Sequence, residues 1–316
     1  PCGPGLWAAP RALHCLSTFT TGSASDVPRR GAVANRVVDP HRAGLPFASP
    51  DRFQQPFNEH MELIMNNTLT QARTLFVLAI AAALSACGGG GDDGPVTVNL
   101  EFASVAGTTA VNCGTTVTGL GSPGVDARIK DLRFYVSNVK LIKSDGSEVA
   151  LSLGGNDDWN LTSGANSLTL IDLEDGSGTC DGGTAATNAL VKGTVPAGSY
   201  TGVKMTMGVP FALNHSDYAT AVKPLDVQAM AWSWQSGRKF AKIEVNPVGG
   251  VTTTTATGSS TVSTFNLHQA STDCTGRNDG TDTCAKKNLA EFDLSFNPTT
   301  QQIAIDLAAL FSATNI

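Results

Sequence analysis

Two histidines, His215 and His268, are the only imidazoles between Cys87 and Ile316. His215 ends the run Val209-Pro-Phe-Ala-Leu-Asn, directly after a strand-like stretch, and His268 lies shortly before Cys274. Neutral imidazole is the commonest metal ligand on a protein and suits copper and zinc. Two of them can hold a low-coordinate cuprous ion, but selectivity asks for a third group, and no Asp or Glu is tied to either histidine by spacing. Between them runs Met230-Ala-Trp232-Ser-Trp234-Gln-Ser-Gly237, which holds two of the four tryptophans in the chain. Read as a strand, it places Met230, Trp232 and Trp234 on one face. That face is either bulky core or a stacking platform for sugars. An indole nitrogen is a donor only and gives a metal no lone pair.

Other chemistries lack their settings. The acidic turn Asp172-Leu-Glu174-Asp175 has neither the alternating oxygens nor the terminal Glu of a calcium loop. Ser259, Ser263 and Ser271 have no G-x-S-x-G context. The glycines Gly88 to Gly91 precede no strand–helix unit that could cradle a phosphate. None of these settings supplies a catalytic residue.

The elements that must position these groups begin late in the chain of 316 residues. Residues 1–64 are rich in Pro, Arg and Ala without apolar period, so they are expected to be a disordered upstream extension. Cys2, Cys15, His14, His41 and His60 fall there and are set aside. Residues 65–86 read as a secretory signal: Arg73, an apolar run from Leu75 to Leu84, then Leu84-Ser-Ala-Cys87. That ending resembles a bacterial lipobox, which implies cleavage before Cys87, lipidation of its thiol and a membrane anchor. Glycine, not aspartate, follows the cysteine, which favours the outer membrane facing the periplasm. Residues 87–95 read as a Gly-rich tether and 96–316 as one domain. From Cys87 onward there are 14 basic and 22 acidic residues and no basic patch, which argues against nucleic acid.

Four cysteines follow Cys87: Cys113, Cys180, Cys274 and Cys284. In an exported chain an even number reads as two disulfides. Cys274 and Cys284 flank a Gly/Asn/Asp loop and are expected to pair, leaving Cys113 with Cys180. A four-cysteine metal site would want a C-x-x-C pair, which is missing. Apolar stretches separated by turn residues give strands at Val96–Phe102, Ala127–Val136, Val139–Ile142, Leu168–Leu173, Gly202–Gly208 and Lys239–Val245. A C-terminal hairpin is expected to join Ala290–Phe296 to Gln302–Leu307, with short helices at Ser216–Ala221 and Leu307–Phe311. Val251–Ser260 reads as an exposed loop. The fold class is all-β, an antiparallel β-sandwich with long loops and two disulfides.

Several motifs, in order and at spacing, resemble the MbnP-like copper-binding family, also described as the four-Cys partner of a metallo-mystery pair. They are Asn112-Cys113-Gly114, Asp131-Leu-Arg-Phe-Tyr-Val-Ser-Asn138, Leu173-Glu-Asp-Gly with Cys180, Gly208-Val-Pro-Phe with Asn214-His215, Pro224-Leu225, Met230-x-Trp232-x-Trp234-Gln-Ser-Gly, and His268-x-x-Ser-Thr-x-Cys274. The resemblance implies an exported protein encoded beside an MbnH-like di-haem protein of the cytochrome c peroxidase and MauG type. That partner oxidises the first Trp of the Trp-x-Trp motif to kynurenine, by residue match Trp232, and the product binds one Cu(I). Ring opening creates an aryl amine and a ketone, so the implied ligands are modified Trp232, His215 and His268. Trp234 stays indole beside the site, and Met230 is a thioether neighbour or core filler. The implied role is copper homeostasis. The chain departs from the family at Arg238, where an aromatic is common and where docking of the haem partner would be affected, and at Ala270, where glycine is common.

Overall fold

The computed structural model describes residues 63–66, 94–232, 237–275, 283–298 and 300–316. Cys87 and Trp234 lie outside the described residues, as do most of the segments assigned above to the extension, signal and tether.

One strand organises the domain. Val125–Lys143 runs for 19 residues where two strands were expected. Asn138, at φ 50°, takes up a slip in register against Tyr200–Met207 instead of ending the strand. The long strand pairs antiparallel with Ala241–Pro247, with Tyr200–Met207 and with Asn166–Asp172. Phe265–Gln269 lies beyond Ala241–Pro247, and Ala290–Ser295 beyond Tyr200–Met207. The second sheet is built on Val96–Ala106, flanked by Leu190–Val195 and by Gln302–Asp306.

Period-2 burial brings the two sheets together. Val98, Leu100 and Phe102 of the second sheet meet Leu132, Phe134 and Val136 of the first in one apolar core. The rings of Phe102 and Phe134 meet edge-on, centroids 5.6 Å apart. Each such buried side chain contributes about 2 kcal/mol. The alternate residues of the long strand, Asp131, Arg133 and Tyr135, face away from that core yet are also buried. Tyr135 joins a second apolar cluster with Leu168, Leu170, Met230 and Phe240. This outward but covered face carries the polar chemistry.

The structure corrects four local expectations. Ala290–Ser295 pairs with Tyr200–Met207 in one sheet, while Gln302–Asp306 pairs parallel with Val96–Ala106 in the other. The chain thus crosses between sheets from Ser295 to Gln302 and closes no hairpin. The expected helix at 216–221 is a turn region, and a single helical turn sits earlier at Phe211–Asn214. Val251–Thr255 and Gly258–Val262 form an exposed hairpin where a loop was expected. The tryptophan stretch does not open as a strand: Gln228–Met230 is one turn of 3-10 helix, and Ala231 bridges back to Arg238, while residues 233–236 lie outside the described residues. The helix at Leu307–Phe311 forms as expected, capped by the Asp306 carboxylate on the amides of Ala308 and Ala309. Residues 63–66, inside the segments assigned to extension and signal, pair antiparallel with Gln302–Asp306.

Candidate metal centre

The register places four polar residues side by side across four strands. Asp172 lies opposite Arg133, Arg133 opposite Lys242, and Lys242 opposite His268. Two carboxylates knit the row together diagonally. Asp131 accepts from both Arg133 and Lys242. Glu244 accepts from His268 Nε2 at 2.6 Å and lies 3.2 Å from Lys242 Nζ. Asp131, Arg133, Asp172, Glu174 and Glu244 are all buried, so each charge needs its partner. Burial alone would raise the Glu244 carboxyl. The bond from His268 and the Lys242 charge outweigh it and hold the group down at about 2. Asp172 goes the other way. Burial outweighs the attraction of Arg133 and pushes it up to about 7, with Glu174 adding to the rise.

Trp232 stands at the His268 end of this row. Its ring meets the His268 imidazole edge-on, centroids 5.6 Å apart. Lys239 Nζ lies 4.8 Å from the centroid of the indole. The backbone at Trp232 is tied to the residues from Gly237 onward. The Trp232 amide donates to the Gly237 carbonyl at 3.0 Å, and the Lys239 amide to the Met230 carbonyl at 2.7 Å. Gly237 takes φ +73°, and a Cβ there would stand 2.5 Å from Asn214 Oδ1, so the loop needs glycine. Met230 is fully buried in the second apolar cluster and serves as core, not as a neighbour aligned with Trp232 along a strand.

His215 reaches the same loop through its neighbour. Gly208 ends the strand Tyr200–Met207 at φ +139°, and Pro210 precedes the helical turn Phe211–Asn214, which His215 caps. Asn214 is fully buried, and its Oδ1 accepts from the Arg238 amide at 2.8 Å. His215 is also buried, with Nε2 3.2 Å from Asn214 Nδ2 and 3.3 Å from Cys284 Sγ. Arg238, where the family commonly has an aromatic, is a buried residue. It is 1% exposed. Its guanidinium donates to the carbonyls of Leu225 and Ser216 at 2.9 and 2.6 Å, and lies 3.2 Å from that of Asn214. It therefore ties the His215 turn to the loop.

Both disulfides form as expected, Cys113 with Cys180 and Cys274 with Cys284. Two groups bring metal-ligating atoms within 4.8 Å of one another among the described residues: His215 with Cys274 and Cys284, and Glu174 with Cys113 and Cys180. In both, the sulfurs are joined to each other, so no thiolate remains and a four-cysteine metal site is excluded. Glu174 accepts from the amides of Gly176 and Thr184 at 2.9 and 3.1 Å and organises the loop that ends at the first disulfide. Of the expected ligand positions, His215 and His268 keep imidazole nitrogens, and Trp232 lies against His268. The pattern of types did not single out Glu244 or Asn214. Asn214 was visible as the neighbour of His215, whereas Glu244 meets His268 only through strand register.

No curated protein matches the chain. The solved structure of MbnP from Methylosinus trichosporium is similar to it at 30% identity and a TM-score of 0.60, covering 70% of this chain and 79% of that one. The sequence profile of the MbnP family matches residues 95–316, which takes in every described strand from Val96 onward, both histidines, both residues of the Trp-x-Trp motif and both disulfides. On these grounds the chain belongs to the MbnP family.

Proposed function

We propose that this chain is an exported copper-binding protein of the cell envelope, lipid-anchored through Cys87. In this reading it binds one Cu(I) through His215, His268 and a kynurenine made from Trp232. It is the substrate of a di-haem partner of the MauG and peroxidase type, and it catalyses no reaction itself. The observation that carries the reading is the contact of the Trp232 ring with the His268 imidazole at 5.6 Å. A carbonyl and an aryl amine formed from that ring arise beside a nitrogen ligand, and the loop is tied through Asn214 to the turn bearing His215. Imidazole and a neutral oxygen or amine donor suit a cation of low charge and low coordination number. Copper homeostasis follows as the role.

The rival glycan platform needs an open aromatic face. The Trp232 ring instead has the Lys239 ammonium over it and is half-buried.

Coexpression with and without a di-haem partner tests the proposal. Peptide mass should show Trp232 converted to kynurenine only with the partner, and that protein should retain one copper per chain. Trp232→Phe should abolish both signals while leaving the fold intact. Unmodified Trp232 and no retained copper in the presence of an active partner would remove the copper reading.

A further inference from the structure

We propose that Glu244 and Asn214 are positioning residues that hold the two histidines in opposite tautomers, His268 protonated on Nε2 and His215 on Nδ1. The use of the remaining lone pairs as copper ligands rests on the function proposed above; the tautomers themselves do not.

The argument for His268 is short. Glu244 Oε1 lies 2.6 Å from His268 Nε2, and a carboxylate has only lone pairs to offer. Nε2 must therefore carry the hydrogen, and a neutral ring then keeps its lone pair on Nδ1. Lys242 Nζ at 3.2 Å from the same oxygen holds Glu244 in place, and Lys242 is itself bound to Asp131. A carboxylate on the far nitrogen is a recurring device for orienting a metal-binding imidazole and raising its basicity.

The His215 tautomer is set through Asn214. The Arg238 backbone amide has only a hydrogen to give, and it points at Asn214 Oδ1, 2.8 Å away. This fixes which end of the Asn214 side chain is oxygen. The other end, Nδ2, carries two hydrogens and has two neighbours: Ser271 Oγ at 3.5 Å and His215 Nε2 at 3.2 Å. Ser271 donates its one hydrogen to the Lys287 carbonyl at 3.0 Å, so its oxygen is left to accept. The second Asn214 hydrogen goes to His215 Nε2, which must then be unprotonated. Cys284 Sγ, 3.3 Å from that nitrogen, belongs to a disulfide and could only accept, weakly. A hydrogen on Nε2 directed at it would oppose the Asn214 donor. His215 thus offers Nε2, covered by a neutral amide that a cation can displace, while His268 offers Nδ1.

Long-range proton–nitrogen NMR correlation of metal-free protein labelled at histidine nitrogen reads the tautomers directly. His268 should appear protonated on Nε2 and His215 on Nδ1; the same tautomer at both sites would overturn the inference. Asn214→Asp keeps an acceptor for the Arg238 amide but puts a second acceptor against Nε2. It should move the His215 hydrogen to Nε2 and weaken Cu(I) binding about tenfold to a hundredfold. Glu244→Gln retains an acceptor and should keep the His268 tautomer, whereas Glu244→Met should leave it mixed. A variant that leaves its histidine unchanged where a change is expected removes that positioning role. If a variant fails to fold, the wild-type spectrum alone decides. Opposite tautomers in a protein that binds no copper would sink the function and leave this inference standing. Copper bound by matching tautomers would do the reverse.

Discussion

Lys239 holds its ammonium 4.8 Å from the centre of the Trp232 indole and is fixed there by donating to the Ala229 carbonyl at 2.7 Å. Taking an electron from that ring would set two positive charges at this separation. At an effective dielectric constant of about 20 their repulsion is about 3 kcal/mol. The lysine therefore restrains oxidation of the residue that the proposed function requires to be oxidised. Lys239→Met should speed conversion of Trp232 by the di-haem partner by about tenfold or more, followed as kynurenine absorbance against time. An unchanged or slower conversion would show that the cation does not govern the step.

Gly237 lies at the closing end of the Trp232 loop, and its Cβ position is taken up by the Asn214 amide. Gly237→Ala adds strain at φ +73° to that clash. It should cost about 1–3 kcal/mol in urea unfolding. Because Asn214 also touches His215, copper affinity should fall by more than the lost stability explains. Equal losses in Gly237→Ala and in a core substitution of matched stability would contradict this.

The Asp172 carboxyl sets a pH dependence of known sign. Its folded value, about 7, is above its ordinary 3.8, so between these limits the folded chain holds a proton that the unfolded chain has lost. Stability from this group therefore falls as pH rises through that window. Asp172→Asn cannot ionise and should remove this part of the slope. Thermal melting from about pH 4 to pH 8 should show wild type losing ground to the variant. Parallel curves would indicate that Asp172 ionises normally.

The two disulfides should differ in what their removal costs. Cys113 and Cys180 are separated by 67 residues, Cys274 and Cys284 by 10. On the loop-entropy account the longer link contributes about 1–2 kcal/mol more. Paired Cys→Ser substitutions, compared by denaturant unfolding, should rank in that order. The shorter link also touches His215, so its removal should disturb copper binding although it costs less stability.

Period-2 reading of the sequence suffices for the alternation of Asp131, Arg133 and Tyr135 with Leu132, Phe134 and Val136, because alternation is a property of the strand itself. It failed where the outcome depends on distant partners. Asn297-Pro-Thr-Thr carries the same turn chemistry whether the chain folds back or crosses to another sheet, and only the pairing of Gln302–Asp306 with Val96–Ala106 decides. The Trp-x-Trp spacing looked like a strand, yet the stretch opens with a turn of 3-10 helix at Gln228–Met230, and Ala231 bridges to Arg238. The chemistry-bearing types His215, His268 and Trp232 were visible by their scarcity. Glu244 was one polar residue in an alternating strand until register set Lys242 opposite His268 and brought Glu244 within reach.

The parallel pairing of Gln302–Asp306 with Val96–Ala106 joins the last strand of the domain to its first. The second sheet therefore cannot be completed until Gln302–Asp306 has been synthesised. Contacts across so long a stretch of chain also form slowly. A chain whose second sheet stays open until Gln302–Asp306 arrives is one that a secretion channel can thread, and under the proposed export this strand order postpones closure until that strand has crossed.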